Sequence, residues 1–135
     1  MTTINVSVSI GREKYKTTVN NGRNELIADE PVEAGGTDLG FAPRELLLSS
    51  LGSCTAITIR MYADRKGWDL DEVEISLTME QLSDTTQQTS HIQKHIKLLG
   101  NLDEEQRQRL LQVAGLCPVH KILNNPITIE SNLVP

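Results

Sequence analysis

The sequence predicts an α+β fold, and three observations carry that expectation. The opening stretch alternates apolar and polar residues, with Ile4, Val6, Val8 and Ile10 set against Asn5, Ser7 and Ser9, the pattern of a strand with one buried face. From Arg44 to Lys66 apolar residues recur at helical spacing. A second pair of alternating segments follows, and then more helix. Strands that cluster in this way, rather than alternating one by one with helices, exclude a doubly wound architecture.

After the first strand Gly11-Arg12 breaks the pattern, residues 13–19 alternate again, and Asn20-Asn21-Gly22 is a strong turn signal. A third strand is expected from Asn24 to Asp29, so the chain opens as an antiparallel meander. Glu30 to Ala42 carries Pro31, Gly35, Gly36 and Gly40 and reads as an ordered loop. Pro43 suits the first turn of a long helix, on which Leu47, Leu51, Cys54, Thr58 and Met61 define one face and Gly67 the stop. Val73, Ile75, Leu77 and Met79 form a strand with one wet face. Ser83 to Ser90 is a polar hairpin tip, and Ile92, Lys94, Ile96 and Leu98 lie on the return strand. Asp103 and Gln106 have the spacing of a capping box at the start of a helix that runs to about Gly115. A short helix from Pro118 to near Asn124 follows, with a closing strand expected around Ile127, Ile129 and Ser131. The length, 135 residues without repeat or linker, suits one domain over 1–135.

Composition narrows the function. The net charge is −5 with no Lys/Arg stripe, and the aromatic residues are limited to Phe41, Trp68, Tyr15 and Tyr62. Both facts argue against nucleic acid, and the charge argues against anionic membranes. No run is expected to approach the roughly 20 apolar residues that span a bilayer. Met1-Thr2-Thr3-Ile4 lacks a charged segment followed by an apolar one, so the cytoplasm is the expected compartment. Thiols are kept reduced there, which makes the two cysteines, Cys54 and Cys117, a poor structural staple and a better catalytic pair.

Local context treats the two cysteines differently. Cys54 lies on the apolar face of the long helix, about three turns from its N-terminus, beyond useful reach of the helix dipole. A buried, inert cysteine is the plain reading there, and a reactive one needs a cation from another segment. Cys117 precedes Pro118 and so sits at a helix N-cap, where free amides lower a thiol pKa. Cys117 and His120 also have C-x-x-H spacing, but a metal site would need two more ligands from Cys54, His91 and His95, and no second close-spaced pair exists. A thiol hydrolase built on Cys117 and His120 lacks a nearby orienting carboxylate. Arg12, Glu45, His120 and Lys121 also have bland readings as exposed groups.

Several segments together resemble the OsmC/Ohr family of hydroperoxide-reducing proteins: Ala28-Asp29-Glu30-Pro31, Gly35-Gly36-Thr37-Asp38, Pro43-Arg44-Glu45-Leu46-Leu47-Leu48, Leu51-Gly52-Ser53-Cys54-Thr55, Arg60 to Trp68, and Cys117-Pro118-Val119-His120-Lys121. The resemblance implies an OsmC-like fold, with antiparallel sheets around a long central helix, that forms an intertwined homodimer with active sites at the subunit interface. It implies a peroxidatic cysteine at Cys54, a resolving cysteine at Cys117, an activating arginine at Arg12 and a glutamate, Glu45, that holds it. Gly22-Arg23 competes with Gly11-Arg12 for the arginine. In the better-known hydroperoxidases the glutamate directly follows the proline. Here Arg44 does and Glu45 comes one later, as in a broader branch that the chain resembles more closely.

On that resemblance the expected activity is a thiol-dependent peroxidase, an antioxidant of the stress response. An organic hydroperoxide would be reduced by a Cys54 thiolate, the sulfenic acid would condense with Cys117 to a disulfide, and a dithiol such as a lipoylated protein would restore the pair. No metal or other cofactor is required. A redox sensor, or a small-ligand-binding dimer without turnover, is the alternative. Local electrostatics make Cys117 the more acidic thiol, while the resemblance makes Cys54 the attacker, so the order of attack stays open.

Overall fold

The computed structural model describes residues 1–83 and 88–135. Positions 84–87, the middle of the expected polar hairpin tip, lie outside the described residues. The chain forms two compact units, Met1–Leu47 and Leu48–Pro135.

The first unit is a three-stranded antiparallel meander of β1 (Ser7–Ile10), β2 (Thr17–Asn20) and β3 (Glu25–Ala28). The registers pair Val8 with Val19 and Val19 with Leu26. The strands are shorter than the alternation predicts, and the turn forms where Asn21-Gly22 places it, its Asn21 Oδ1 accepting from the N–H groups of Arg23 and Asn24 at 2.9 and 2.7 Å. One expectation fails here. The alternation predicts a buried face here, yet Val8 and Ile10 on β1 and Val6 just before it are all exposed, because among the described residues no apolar layer covers them.

The loop after β3 is ordered by one carboxylate. Buried Asp29 accepts from the N–H groups of Tyr15, Glu30, Thr37 and Leu39 and from the Thr37 hydroxyl at 2.6 Å. The Thr37 hydroxyl bond is the largest influence on its pKa. It and the backbone donors outweigh burial and hold the carboxyl far below the usual carboxylate range.

Helix α1 (Pro43–Lys66) begins in the first unit and continues into the second. Pro43 occupies its first position, as expected. It ends at Gly67, where φ is +68°, a conformation that suits glycine. There the Gly67 and Trp68 N–H groups bond to Asp64 and Ala63 carbonyls in a Schellman closure. The expected buried face is displaced. Leu51, Thr55, Ile59 and Ala63 are buried, whereas Cys54 is half-buried and Met61 exposed. Apolar residues occur all round this helix, so spacing alone admits more than one stripe. For the same reason the expectation that no segment approaches a membrane span is corrected. By length and composition alone α1 is long and apolar enough to cross a bilayer. Ile59 and Ala63 are nevertheless part of this unit's own core.

The second unit packs α1 against a long antiparallel hairpin, β4 (Asp69–Ser83) and β5 (Gln88–Asn101), with a bulge between Leu70 and Glu72. α2 (Glu104–Ala114) and α3 (Pro118–Leu123) follow. Ile59, Ala63, Leu70, Leu110, Val113 and Ala114 form the core, flanked by Val73, Ile96 and Leu98 from the inward face of the hairpin. Gly52 sets how closely the helix approaches: a Cβ there would lie 2.7 Å from the Leu77 Cδ1 on β4. Arg107 ties α2 to the end of β5 through the Leu98 and Gly100 carbonyls at 2.8 and 3.2 Å. The capping box forms as expected, Asp103 accepting from the Gln106 N–H at 2.8 Å and Gln106 from the Asp103 N–H at 2.9 Å. The closing strand does not form: Ile127 and Ile129 are exposed and in no strand, since among the described residues no edge pairs with them.

Candidate redox site

Two segments of the second unit bring its cysteines together. Cys54 lies on α1, one position before the buried Thr55. Cys117 is the N-cap of α3, with Pro118 at the first helical position as the sequence predicts. Both cysteines are free, and Cys54 is near enough to the Cys117 sulfur to act on it as a hydrogen-bonding neighbour that lowers its pKa. Cys117 is fully buried, while Cys54 keeps partial access to solvent.

The Cys117 sulfur is surrounded by donors. The His120 N–H donates to Sγ at 3.3 Å, and the Thr55 hydroxyl lies 3.5 Å from it. Burial alone pushes this thiol up. The bonds from Thr55, the His120 amide and Cys54, together with the charge of Lys94, outweigh burial and leave its pKa lowered.

Lys94 is the residue that sequence reasoning passed over. Its ammonium donates to Thr55 Oγ1 at 3.1 Å and to the Ala114 carbonyl at 2.9 Å, and its Nζ lies 3.0 Å from His120 Nδ1. An ammonium has three donors, so all three are engaged by uncharged groups. Burial lowers its pKa, and the charges of the two cysteines oppose that. The contact requires His120 Nδ1 to be an unprotonated acceptor, and burial, followed by the charge of Lys94, lowers the His120 pKa accordingly. His120 is therefore part of the site rather than a bland surface group. A signal for Lys94 was present: it stands in the inward row Ile92, Lys94, Ile96 and Leu98 of a strand whose outward row is polar.

The other expected site residues lie elsewhere in the chain. Arg12 is exposed in the bend after β1. Arg23, its competitor, lies in the β2–β3 turn. Glu45 Oε1 accepts from the Ala42 N–H at 2.8 Å and so helps to cap α1. All three belong to the first unit, whereas Cys54 and Cys117 belong to the second. His91 and His95, the remaining metal candidates, are on the exposed face of β5, opposite Lys94 in the strand alternation.

The second unit of this α+β chain thus holds two neighbouring free thiols, one reachable and one buried among hydrogen-bonding groups. The sequence matches a family model described as OsmC-like protein over residues 35–132, and the chain belongs to that family. Among solved structures it is similar to the OsmC-like protein from Mycoplasma pneumoniae, at 19% identity and a TM-score of 0.78 over 91% of this chain and 88% of that one. It is also similar to the organic hydroperoxide resistance protein OhrB of Bacillus subtilis, at 22% identity and a TM-score of 0.64 over 90% of each chain. A third is an organic hydroperoxide resistance protein OsmC from Legionella pneumophila, at 18% identity and a TM-score of 0.67 over 91% of this chain and 90% of that one. These likenesses show the fold. No curated protein matches the chain.

Proposed function

We propose that this protein is a thiol-dependent peroxidase that reduces organic hydroperoxides through Cys54 and Cys117. The observation that carries the reading is the proximity of the two free cysteines, with the accessible thiol on α1 and the buried one set against the Thr55 hydroxyl and the His120 N–H. Membership of the OsmC-like family, and the hydroperoxide-resistance names of two structural neighbours, support it.

Access supports this assignment of roles. A peroxide reaches Cys54 and not the fully buried Cys117. Cys54 reacts as its thiolate, the nucleophilic form of the side chain, and attacks a peroxide oxygen. The O–O bond breaks, an S–O bond forms, and the alkoxide takes up a proton from solvent and leaves as alcohol. The Cys117 sulfur then attacks the Cys54 sulfenic acid, and the hydroxyl leaves with the proton Cys117 carried, as water. A dithiol reduces the resulting disulfide by exchange. Arg12, with Glu45, is assigned to thiolate activation by family resemblance, with Arg23 as its competitor. A homodimer fits the apolar surface of the first unit: Val8, Ile10 and Leu26 are exposed on a three-stranded sheet, with Val6 exposed just before it, an arrangement that marks an interaction surface.

The test is the rate of organic hydroperoxide loss with a dithiol, wild type against Cys54→Ser. Equal rates overturn the proposal. Trapping of a sulfenic acid in Cys117→Ser but not in Cys54→Ser supports the assigned roles, and the reverse swaps them.

A further inference from the structure

We infer that Lys94 is the counter-ion of the cysteine pair and that it biases the pair toward the reduced, thiolate-bearing form. The inference rests on reading Cys54 and Cys117 as a redox pair, but not on peroxide turnover.

Lys94 is drawn into the second unit from the inward row of β5, and its three donors meet Thr55, Ala114 and His120, all neutral. Among the described residues no carboxylate lies within ion-pair distance of it, although its strand neighbour Lys97 pairs with Glu74 on the outward face. A partly buried ammonium without an anion is costly. The groups that can supply a negative charge here are the two cysteines, whose influence favours the charged lysine. Lys94 does not spend a hydrogen bond on sulfur. It holds Thr55 Oγ1, and Thr55 in turn lies against Cys117 Sγ.

Oxidation removes that anion. Against an external cyclic disulfide, the Cys54–Cys117 bond forms as the external S–S bond breaks. Two electrons, the one thiol proton and the negative charge of the pair pass to the external dithiol. Lys94 is then left with neutral neighbours only. A cation that stabilises the reduced form and not the oxidised form makes the disulfide more oxidising, and such a disulfide is readily cleared by an ordinary dithiol.

The experiment equilibrates the full-length protein with reduced and oxidised dithiothreitol and measures the oxidised fraction by mass after alkylation under denaturing conditions. Lys94→Met is expected to shift the equilibrium at least tenfold toward the disulfide, about 30 mV in potential. Lys94→Gln, which keeps a hydrogen-bonding head without the charge, is expected to shift the same way and covers the case in which the methionine variant does not fold. Lys94→Arg keeps the charge and is expected to stay closer to wild type. The ultraviolet thiolate absorbance, titrated with pH, should move upward in both neutral variants and needs no reagent to reach the buried sulfur. Neutral variants with the wild-type equilibrium, or a shift toward the dithiol, overturn the inference. Loss of peroxide turnover in the wild type would instead overturn the proposed function and leave these readouts unaffected.

Discussion

Cys54 and Cys117 are neighbours, yet the structure treats them in opposite ways. Cys54 sits mid-helix, half-buried, with its backbone committed to α1. Cys117 sits at a corner between two helices, fully buried, with its sulfur accepting from a backbone amide and approached by a hydroxyl. One position has access and the other has stabilisation. The difference shows how a fold can separate meeting a substrate from holding a charge, and place each on a different element.

The most severe way to break the comparison is to remove each sulfur. Cys54→Ser should abolish peroxide reduction, a loss on the order of 10³-fold or more. Cys117→Ser should permit one oxidation of Cys54 and then stall, read as a burst in stopped-flow assays. Equal behaviour of the two variants would erase the distinction.

Next in size is the seat under the helix. Ile59 is fully buried one turn beyond Thr55, and Ile59→Ala should cost about 2–5 kcal/mol in denaturant unfolding. A cost near zero would mean that the stripe of Leu51, Thr55, Ile59 and Ala63 does not anchor α1.

Thr55→Val keeps the shape but removes the hydroxyl between Lys94 and Cys117. The Thr55 hydroxyl is the largest of the influences that lower the Cys117 pKa, so the thiolate absorbance midpoint should rise. A shift confined to Cys54, tested in Cys117→Ser, would invert the comparison. Asp103→Ala loosens the start of α2, the helix whose last residue, Ala114, accepts from Lys94, and should cost about 1 kcal/mol by thermal unfolding.

The smallest effect is on pH dependence. The His120 pKa is lowered on folding, so between its folded and unfolded values the unfolded chain binds more protons. The stability from neutral His120 is then complete above the unfolded value of about 6.5 and is lost as pH falls below it. His120→Asn should flatten the stability profile in that acid range, measured by denaturant unfolding at several pH values.

Much of this was legible from sequence because it is local. Gly67, the Asp103–Gln106 pair and Cys117 before Pro118 each act within four residues of themselves, and each forms the expected cap. The alternation of Val73, Ile75, Leu77 and Met79 likewise gave the inward face of β4 correctly. The segments around the two cysteines carried the family, and the cysteine pair followed from it.

What sequence did not decide is what stands opposite each face. Alternation marked Val6, Val8 and Ile10 as apolar but could not say that this chain leaves them exposed. Helical spacing marked a stripe on α1 but not the one that is buried. Cys54 lacks any local reason to be reactive, and an arginine was the expected remedy. Only tertiary structure brought Lys94 of β5, Thr55 of α1 and His120 of α3 around Cys117. Sequence periodicity reports the direction of a side chain relative to its own element. Charge and hydrogen bonding depend on distances between elements, and those are set by packing.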